Sequence, residues 1–205
     1  MSKVDPKKMI FIHGLEGSGQ GDKATLLRSL FPGILTPDFR GPLDERQKVL
    51  QSILGKKTGW TLIGSSLGGY LAALYAARHP EVLAAVLLAP AFGFARRWPE
   101  RLGESQMNAW RRNGWMSVYH YGLERMLPLG YGLIDDGLRY EDFPEIHQPV
   151  LLIHGTRDDV VTADWSRQYA SARPNVELEL VDSDHELANV LDWMWDRIRG
   201  FLQLG

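Results

Sequence analysis

The residues best suited to chemistry lie in a Gly-x-Ser-x-Gly pattern at positions 64–68, with Ser66 at its centre. An apolar run precedes the pattern and an Ala/Leu-rich stretch follows it, so the sequence predicts a strand, a sharp turn and a helix. In this context the serine is a candidate nucleophile, because the glycines leave room for a strained turn and the helix N-terminus favours developing negative charge. Ser65 is the alternative nucleophile, but the glycine spacing selects Ser66. The structural alternative is a Gly/Ser turn that only caps a helix.

A serine hydroxyl needs a general base to take its proton, and the base needs an acid to orient it. In strand–turn–helix hydrolases the chain order is serine, acid, histidine. Asp158 and Asp159 both follow the apolar run 150–153, and their spacing alone does not decide between them, although we choose Asp158. His185 follows the last apolar run, at a position from which an imidazole can reach both Ser66 and the acid.

The remaining histidines are weaker candidates. His13 and His154 each end a predicted strand before a glycine, which favours a structural hydrogen-bonding role. His79 falls at a helix end, where a cation suits the helix dipole. His120 and His147 have no local partner pattern.

A transition state for acyl transfer develops a negative oxygen that needs two fixed N–H donors. The sequence predicts one donor at the backbone of Leu67, directly after the nucleophile. The other is expected in the Gly-rich loop at 13–19, at Leu15 or alternatively at Glu16. This loop lacks the Gly-Lys-Ser/Thr ending of a P-loop and the spacing of a dinucleotide site, which argues against nucleotide binding.

Short apolar runs alternate with helical patterns along the whole chain. This alternation predicts a single α/β domain over 1–205, with an about six-stranded, mostly parallel sheet and helices on both faces. The predicted strands are 9–13, 33–36, 60–64, 83–89, 150–154 and 176–181. The predicted helices are 22–30, 44–54, 67–79, 163–172 and 186–202.

The interval between the fourth and fifth predicted strands is too long for a simple crossover. We expect a helical lid insertion over approximately 93–146, rich in aromatic residues, although extra helices packed on the sheet edge are the alternative. Arginines in this insertion would hold an anionic leaving group if they point into the cleft, or else they are solvated. They are Arg96, Arg97, Arg101, Arg111 and Arg112.

Three segments together resemble the α/β-hydrolase superfamily over essentially the whole chain: 64–70, 154–161 and 183–185. They look most like the abhydrolase-domain palmitoyl-protein thioesterase and mycophenolic acid acyl-glucuronide esterase, and 13–18 looks like small bacterial esterases of the YqiA type. The resemblance implies that Ser66 is the nucleophile, His185 the base and Asp158, rather than Asp159, the acid. Segment 113–116 is also similar to the lid of that family.

The net charge and the cysteine count exclude or disfavour some classes of function. The 205 residues carry a net charge of −2, which argues against nucleic-acid binding, and no cysteine, which excludes thiol catalysis. We therefore expect a cytoplasmic serine hydrolase without a membrane span, cofactor or metal, acting on a small-molecule ester or acyl-thioester. The alternatives are the same triad with other chemistry (a peptidase, C–C hydrolase or cofactor-free perhydrolase), or a silent binding domain.

Overall fold

The computed structural model describes residues 4–120 and 123–204, and its centre is a five-stranded parallel sheet. The strand order is β1-β2-β3-β6-β7, and a separate antiparallel hairpin is formed by β4 and β5. The strands are β1 (Met9–Ile12), β2 (Thr61–Ser65), β3 (Ala84–Leu88), β4 (Trp115–His120), β5 (Arg125–Gly130), β6 (Val150–Gly155) and β7 (Val176–Val181).

Helices cover both faces of the sheet, as the sequence predicts. One apolar core contains residues of α1 and α7, and the other contains residues of α2 to α6. The helices are α1 (Asp22–Leu30), α2 (Leu43–Leu54), α3 (Leu67–Arg78), α4 (Phe94–Asn113), α5 (Gly132–Gly137), α6 (Asp164–Ser171) and α7 (Leu191–Leu202). None of the helices in the described ranges is long and apolar enough to cross a membrane.

The strands β1, β2, β3 and β6 are buried along their whole length, as continuous apolar runs require. Their parallel registers pair Ile12 with Gly64, and Ser65 with Leu88. All five carboxyl ends therefore lie at one edge of the sheet, where the loops with the candidate residues also begin.

The predicted strand 33–36 does not join the sheet as a full strand. It forms one bridge, in which the N–H of Phe11 donates to the carbonyl of Leu35 and the N–H of Leu35 donates to that of Met9. Gly33, at the start of this segment, has a left-handed backbone with φ +102°. Pro37, directly after the segment, has no N–H to donate. These two residues limit the pairing.

The last predicted helix, 186–202, begins instead at Leu191. Leu187 has a left-handed backbone (φ +57°), and a short 3₁₀ turn over Ala188–Val190 precedes the helix. The turn leaves the loop after β7 long enough to hold His185.

The insertion between β3 and β6 is only partly helical. Gly103 kinks α4, and the β4–β5 hairpin stands between α4 and α5. The hairpin was missed because its strands alternate between exposed and partly buried side chains, with Trp115 and Met126 both 55 % exposed. A search for continuous apolar runs does not detect such strands.

We expect Gly68→Ala to destabilise the fold by about 3 kcal/mol or to prevent folding, because overpacking cannot be relieved by side-chain movement here. A Cβ on Gly68, in α3, would collide with the carbonyl oxygen of Ile12 at the end of β1. Gly200→Ala in α7 is the matched control, since a Cβ there meets no atom within 4 Å. It should stabilise the protein by roughly 0.5–1 kcal/mol through helix propensity. Urea unfolding measures both, and equal stability of the two variants would contradict the close approach of α3 to β1.

Candidate active site

Ser66 lies in a strained turn between β2 and α3. Its backbone has φ +54° and ψ −120°, which is rare for a residue with a side chain. Its N–H donates to the carbonyl of Leu88 at 2.9 Å, and its carbonyl accepts from the N–H of Ala91 at 3.0 Å. The end of β3 thus holds both backbone groups of the turn.

Glycines around the turn permit this conformation. A Cβ on Gly64 would collide with the carbonyl of Gly68, and a Cβ on Gly69 would lie 3.1 Å from Pro90. On the other side, a Cβ on Gly14 would lie 3.2 Å from the Ser66 Cβ and 3.8 Å from its Oγ. The loop after β1 therefore runs directly past the Ser66 side chain.

Asp158 and His185 are brought together by the ends of β6 and β7. The Nδ1–H of His185 donates to Asp158 Oδ2 at 2.7 Å. The Asp158 side chain is fully buried and that of His185 is 13 % exposed. Asp159, the alternative acid, is exposed.

Four donors surround the Asp158 carboxylate. Its Oδ1 accepts from the N–H groups of Val160 and Val161 at 2.9 and 2.8 Å, and its Oδ2 accepts from both His185 and His154. Burial alone would raise the pKa of Asp158, but the hydrogen bonds from the two histidines and from Val161 outweigh it and hold this pKa well below its usual range. Asp158 is therefore ionised at every pH at which the protein is expected to work.

His154 is a structural hydrogen bonder, as predicted, but the sequence did not show that its partner is Asp158. The His154 ring is completely buried. Its Nε2–H points to the carbonyl of Val161 at 2.8 Å and to Asp158 Oδ2 at 3.1 Å, so its Nδ1 is left to accept from the Ser166 hydroxyl at 2.6 Å. This tautomer lets His154 hold the same Asp158 oxygen that accepts from His185.

Ser66 and His185 are not hydrogen-bonded to each other within the part of the chain that the structure describes. Both lie at the carboxyl edge of the sheet, Ser66 after β2 and His185 after β7. The second serine, Ser65, is the last residue of β2 and is buried.

The two predicted N–H donors belong to residues that follow Ser66 and Gly14 in the chain. Leu67 is the first residue of α3, and Leu15 follows Gly14 in the loop after β1. In the described ranges, neither backbone N–H donates a hydrogen bond. For Glu16, the alternative in the same loop, burial raises the side-chain pKa against the opposing charge of Arg101.

His13 also has a structural role, as predicted. Its Nε2 accepts from the N–H of Phe39 at 2.9 Å, and its Nδ1–H donates to the carbonyl of Gly14 at 2.8 Å. Burial lowers the pKa of His13 to about 4, so the ring is neutral. It ties the loop beside Ser66 to the segment before α2.

Most of the arginines in the insertion have partners of their own. Arg96 pairs with Asp142 at 2.6 Å, and Arg111 donates to the hydroxyl of Tyr131 at 3.0 Å. The guanidinium carbon of Arg97 lies 3.0 Å from the ring centre of Trp165. Arg101 is exposed, but its charge acts on Glu16, which places this part of α4 near the loop after β1.

Comparison with known proteins identifies the family of the chain. The family model described as "Uncharacterised protein family (UPF0227)" matches residues 8–203. The chain belongs to this family. No curated protein matches the UPF0227 chain, and no group of three or more metal-ligating side chains occurs among its described residues.

Solved structures show that the UPF0227 chain has the α/β-hydrolase fold, as the resemblance implied. Alpha/beta hydrolase domain-containing protein 10 from mouse matches with a TM-score of 0.69 and 24 % identity, over 93 % of this chain and 90 % of that one. Est1E from Butyrivibrio proteoclasticus matches with a TM-score of 0.77 and 19 % identity, over 99 % of this chain and 88 % of that one. Paleococcus ferrophilus monoacylglycerol lipase matches with a TM-score of 0.73 and 19 % identity, over 98 % of this chain and 95 % of that one.

We expect His13 to make the UPF0227 fold sensitive to mild acid. Its pKa is about 4 in the folded protein and about 6.5 in the unfolded chain, so below pH 6.5 the unfolded state binds the extra proton. The stabilising contribution of neutral His13 to the free energy of unfolding is complete above pH 6.5. This contribution should fall by about 3 kcal/mol between pH 6.5 and 4.

Urea unfolding of wild type and His13→Asn across this pH range measures the effect. The stability difference between the two proteins should shrink as the pH falls. His147→Asn, at an exposed position, is the control. A constant difference between wild type and His13→Asn would show that His13 is not held neutral.

Proposed function

We propose that the protein is a serine hydrolase that cleaves carboxylic esters or thioesters through an acyl-enzyme on Ser66. The observation that carries the proposal is the 2.7 Å hydrogen bond between His185 and the buried Asp158, at the same sheet edge as the strained Ser66 turn. An ionised acid that holds an imidazole by Nδ1–H leaves Nε2 free to act as a base.

In the first step, Nε2 of His185 takes the proton from Ser66 Oγ while Oγ attacks the carbonyl carbon of the ester or thioester. The tetrahedral intermediate collapses, His185 gives the proton to the departing alcohol or thiol, and the acyl group stays on Ser66. Asp158 stabilises the imidazolium and keeps its orientation, without itself taking a proton. Water, deprotonated by His185, then attacks the acyl carbonyl carbon. His185 gives this proton to Ser66 Oγ as the acyl–Oγ bond breaks, and the carboxylic acid is released.

The Ser66–His185 contact needs to tighten for this chemistry. Catalytic hydrogen bonds are often long without substrate and form in the substrate complex. His185 sits in the loop between β7 and α7, which includes the left-handed Leu187. Movement of this loop would bring Nε2 to Ser66, while Asp158 holds the Nδ1 side of the ring.

The backbone N–H groups of Leu15 and Leu67 would bind the developing oxyanion. Both are free to donate in the described ranges and flank Ser66, and the dipole of α3 adds positive potential. No cofactor enters this mechanism.

A small-molecule substrate fits the fold. Ferulic acid is bound in a structure of Est1E, and the Paleococcus protein is a monoacylglycerol lipase. The lid role of the insertion belongs to the proposal: its exposed apolar side chains, such as Trp115, Tyr119 and Met126, would contact an acyl or aryl group.

A panel of 4-nitrophenyl esters of increasing chain length, acyl-thioesters and acyl-glucuronides tests the reaction class. Hydrolysis of esters or thioesters, with release of the free acid, is expected. The absence of turnover across the panel by folded protein would contradict the proposal and favour a silent binding domain.

Ser66→Ala should reduce ester hydrolysis by a factor on the order of 10⁴ or more, because no other hydroxyl occupies the strained turn. Ser65→Ala is the matched control, and it should change kcat/KM by less than about threefold, since Ser65 ends the strand rather than occupying the turn. Steady-state rates and circular dichroism of both variants provide the measurement. Retained activity in a folded Ser66→Ala protein would remove Ser66 from the mechanism.

Asp158→Asn should lower kcat by a factor on the order of 10³ to 10⁴, because an amide does not hold the required tautomer of His185 or balance its charge. Asp159→Asn is the neighbouring control and should stay near wild type, since its side chain is exposed. Kinetics at pH 8 on both variants decide between the two carboxylates. The reverse pattern would make Asp159 the acid.

A further inference from the structure

Arg46 is a buried cation without an anion to balance it. It lies in the first turns of α2 and is only 2 % exposed. Its Nε donates to the carbonyl of Gly41 at 2.9 Å, whereas its Nη1 is buried and has no hydrogen-bond partner. Burying an unpaired charge and an unsatisfied donor is costly, so such a group in a native fold calls for an explanation.

Other arginines of the chain show how this charge is usually balanced. Arg197 contacts Glu177 and, at 2.7 Å, Glu179, and Arg96 contacts Asp142. No carboxylate within the described ranges forms an ion pair with Arg46. Burial, reinforced by the like charge of Arg40, lowers the pKa of Arg46 to about 10, which still leaves it protonated at neutral pH.

The groups around Arg46 add donors and positive charge. Its charge and that of Arg40 both act on His120, which is 8 % exposed and has a buried Nδ1 without a partner. Arg40 itself makes only a long contact, 3.9 Å, with the exposed Asp38. Two guanidinium groups, an imidazole and the exposed Asp38 carboxylate therefore lie within electrostatic range of one another, with positive charge in excess.

This cluster lies beside the proposed catalytic centre. The charge of Arg46 also acts on His13, whose ring is hydrogen-bonded to Gly14, and Gly14 packs against Ser66. The segment that carries Arg40 is fixed to His13 by the N–H of Phe39. Arg46 and Ser66 are therefore connected through His13 and Gly14, and an ester that extends from Ser66 along this loop would reach toward Arg46.

We propose that Arg46, with Arg40 and His120, binds a carboxylate of the substrate, so that the enzyme acts on esters or thioesters that carry a second, anionic group. This inference rests on the proposed function. A carboxylate would accept from the Nη1–H of Arg46 and, in the tautomer with the hydrogen on Nδ1, from His120, and it would neutralise the repulsion between the two arginines. The insertion would exclude water from the contact between the carboxylate and Arg46, and the lower polarity would strengthen their attraction.

Three esters test the proposal and show which end of the substrate carries the anion. They are 4-nitrophenyl butyrate, which is neutral, the mono-4-nitrophenyl ester of glutaric acid, with the carboxylate on the acyl chain, and 4-carboxyphenyl butyrate, with the carboxylate on the leaving group. At least one anionic ester should have a lower KM than the neutral one. Arg46→Gln should raise that KM roughly ten- to hundredfold and change kcat/KM for the neutral ester less than about threefold.

Further variants separate recognition from folding. Arg46→Lys keeps the charge and should restore part of the loss. Arg40→Gln alters a mostly exposed side chain and should raise the same KM without affecting the fold. Arg167→Gln is the matched control, because Arg167 is a surface residue of α6 that pairs only with Asp164. Equal effects of Arg46→Gln and Arg40→Gln on neutral and anionic esters would overturn the proposal.

A binding measurement distinguishes failure of this site from failure of the catalytic proposal. Glutarate should bind to the wild type and to Ser66→Ala in calorimetry, and should bind at least tenfold more weakly to Arg46→Gln and Arg40→Gln. If glutarate binds in this way but no ester is cleaved, the anion site stands and the proposed function is wrong. If esters are cleaved but glutarate does not bind and the anionic esters show no advantage, the anion site is wrong and the proposed function stands.

Discussion

The buried carboxylate of Asp158 is the interaction on which the proposed active site depends. An unpaired carboxylate at this depth would be expelled or protonated, because burial disfavours its charge. Here the backbone of Val160 and Val161 and the rings of His154 and His185 supply four hydrogen bonds. The charge is therefore retained, and it orients His185 by the ring nitrogen that catalysis does not use.

The parallel sheet makes this arrangement possible. Because all five strands end at the same edge, the turn after β2 and the loops after β6 and β7 meet there, although Ser66 and His185 are far apart in sequence. The strained Ser66 turn is held by backbone hydrogen bonds from the end of β3. Small residues at the contacts between α3, β1 and β2 let the elements approach closely enough for this. The fold thus positions the site mainly through backbone geometry.

Sequence alone predicted the parts of the molecule that local patterns encode. Glycine spacing predicted the turn at Ser66, and apolar runs predicted five of the six strands. Helical patterns predicted four of the five helices to within a residue or two. The choice of Asp158 over Asp159 came from resemblance, since spacing did not decide it. The structure shows Asp158 buried against His185 and Asp159 exposed, and the catalytic role remains a proposal.

Features that depend on distant contacts were not predicted. The β4–β5 hairpin has alternating, half-exposed strands, which do not differ clearly from an amphipathic loop in sequence. Arg46 resembles any charged residue in the first turns of a helix, because its burial arises from packing in the folded chain. Likewise, the partner of His154 lies on a loop whose path only the folded chain defines. Such residues carry no local signal.

Labelling with a fluorophosphonate, followed by peptide mass spectrometry, tests the central claim most directly. The reagent forms a stable phosphonyl ester only with a serine whose hydroxyl has been activated by a base. The expected result is one adduct, on Ser66, that forms rapidly in the wild type and at least a hundredfold more slowly in His185→Ala. Labelling of another residue, or labelling of Ser66 at the same rate in both proteins, would contradict activation of Ser66 by His185.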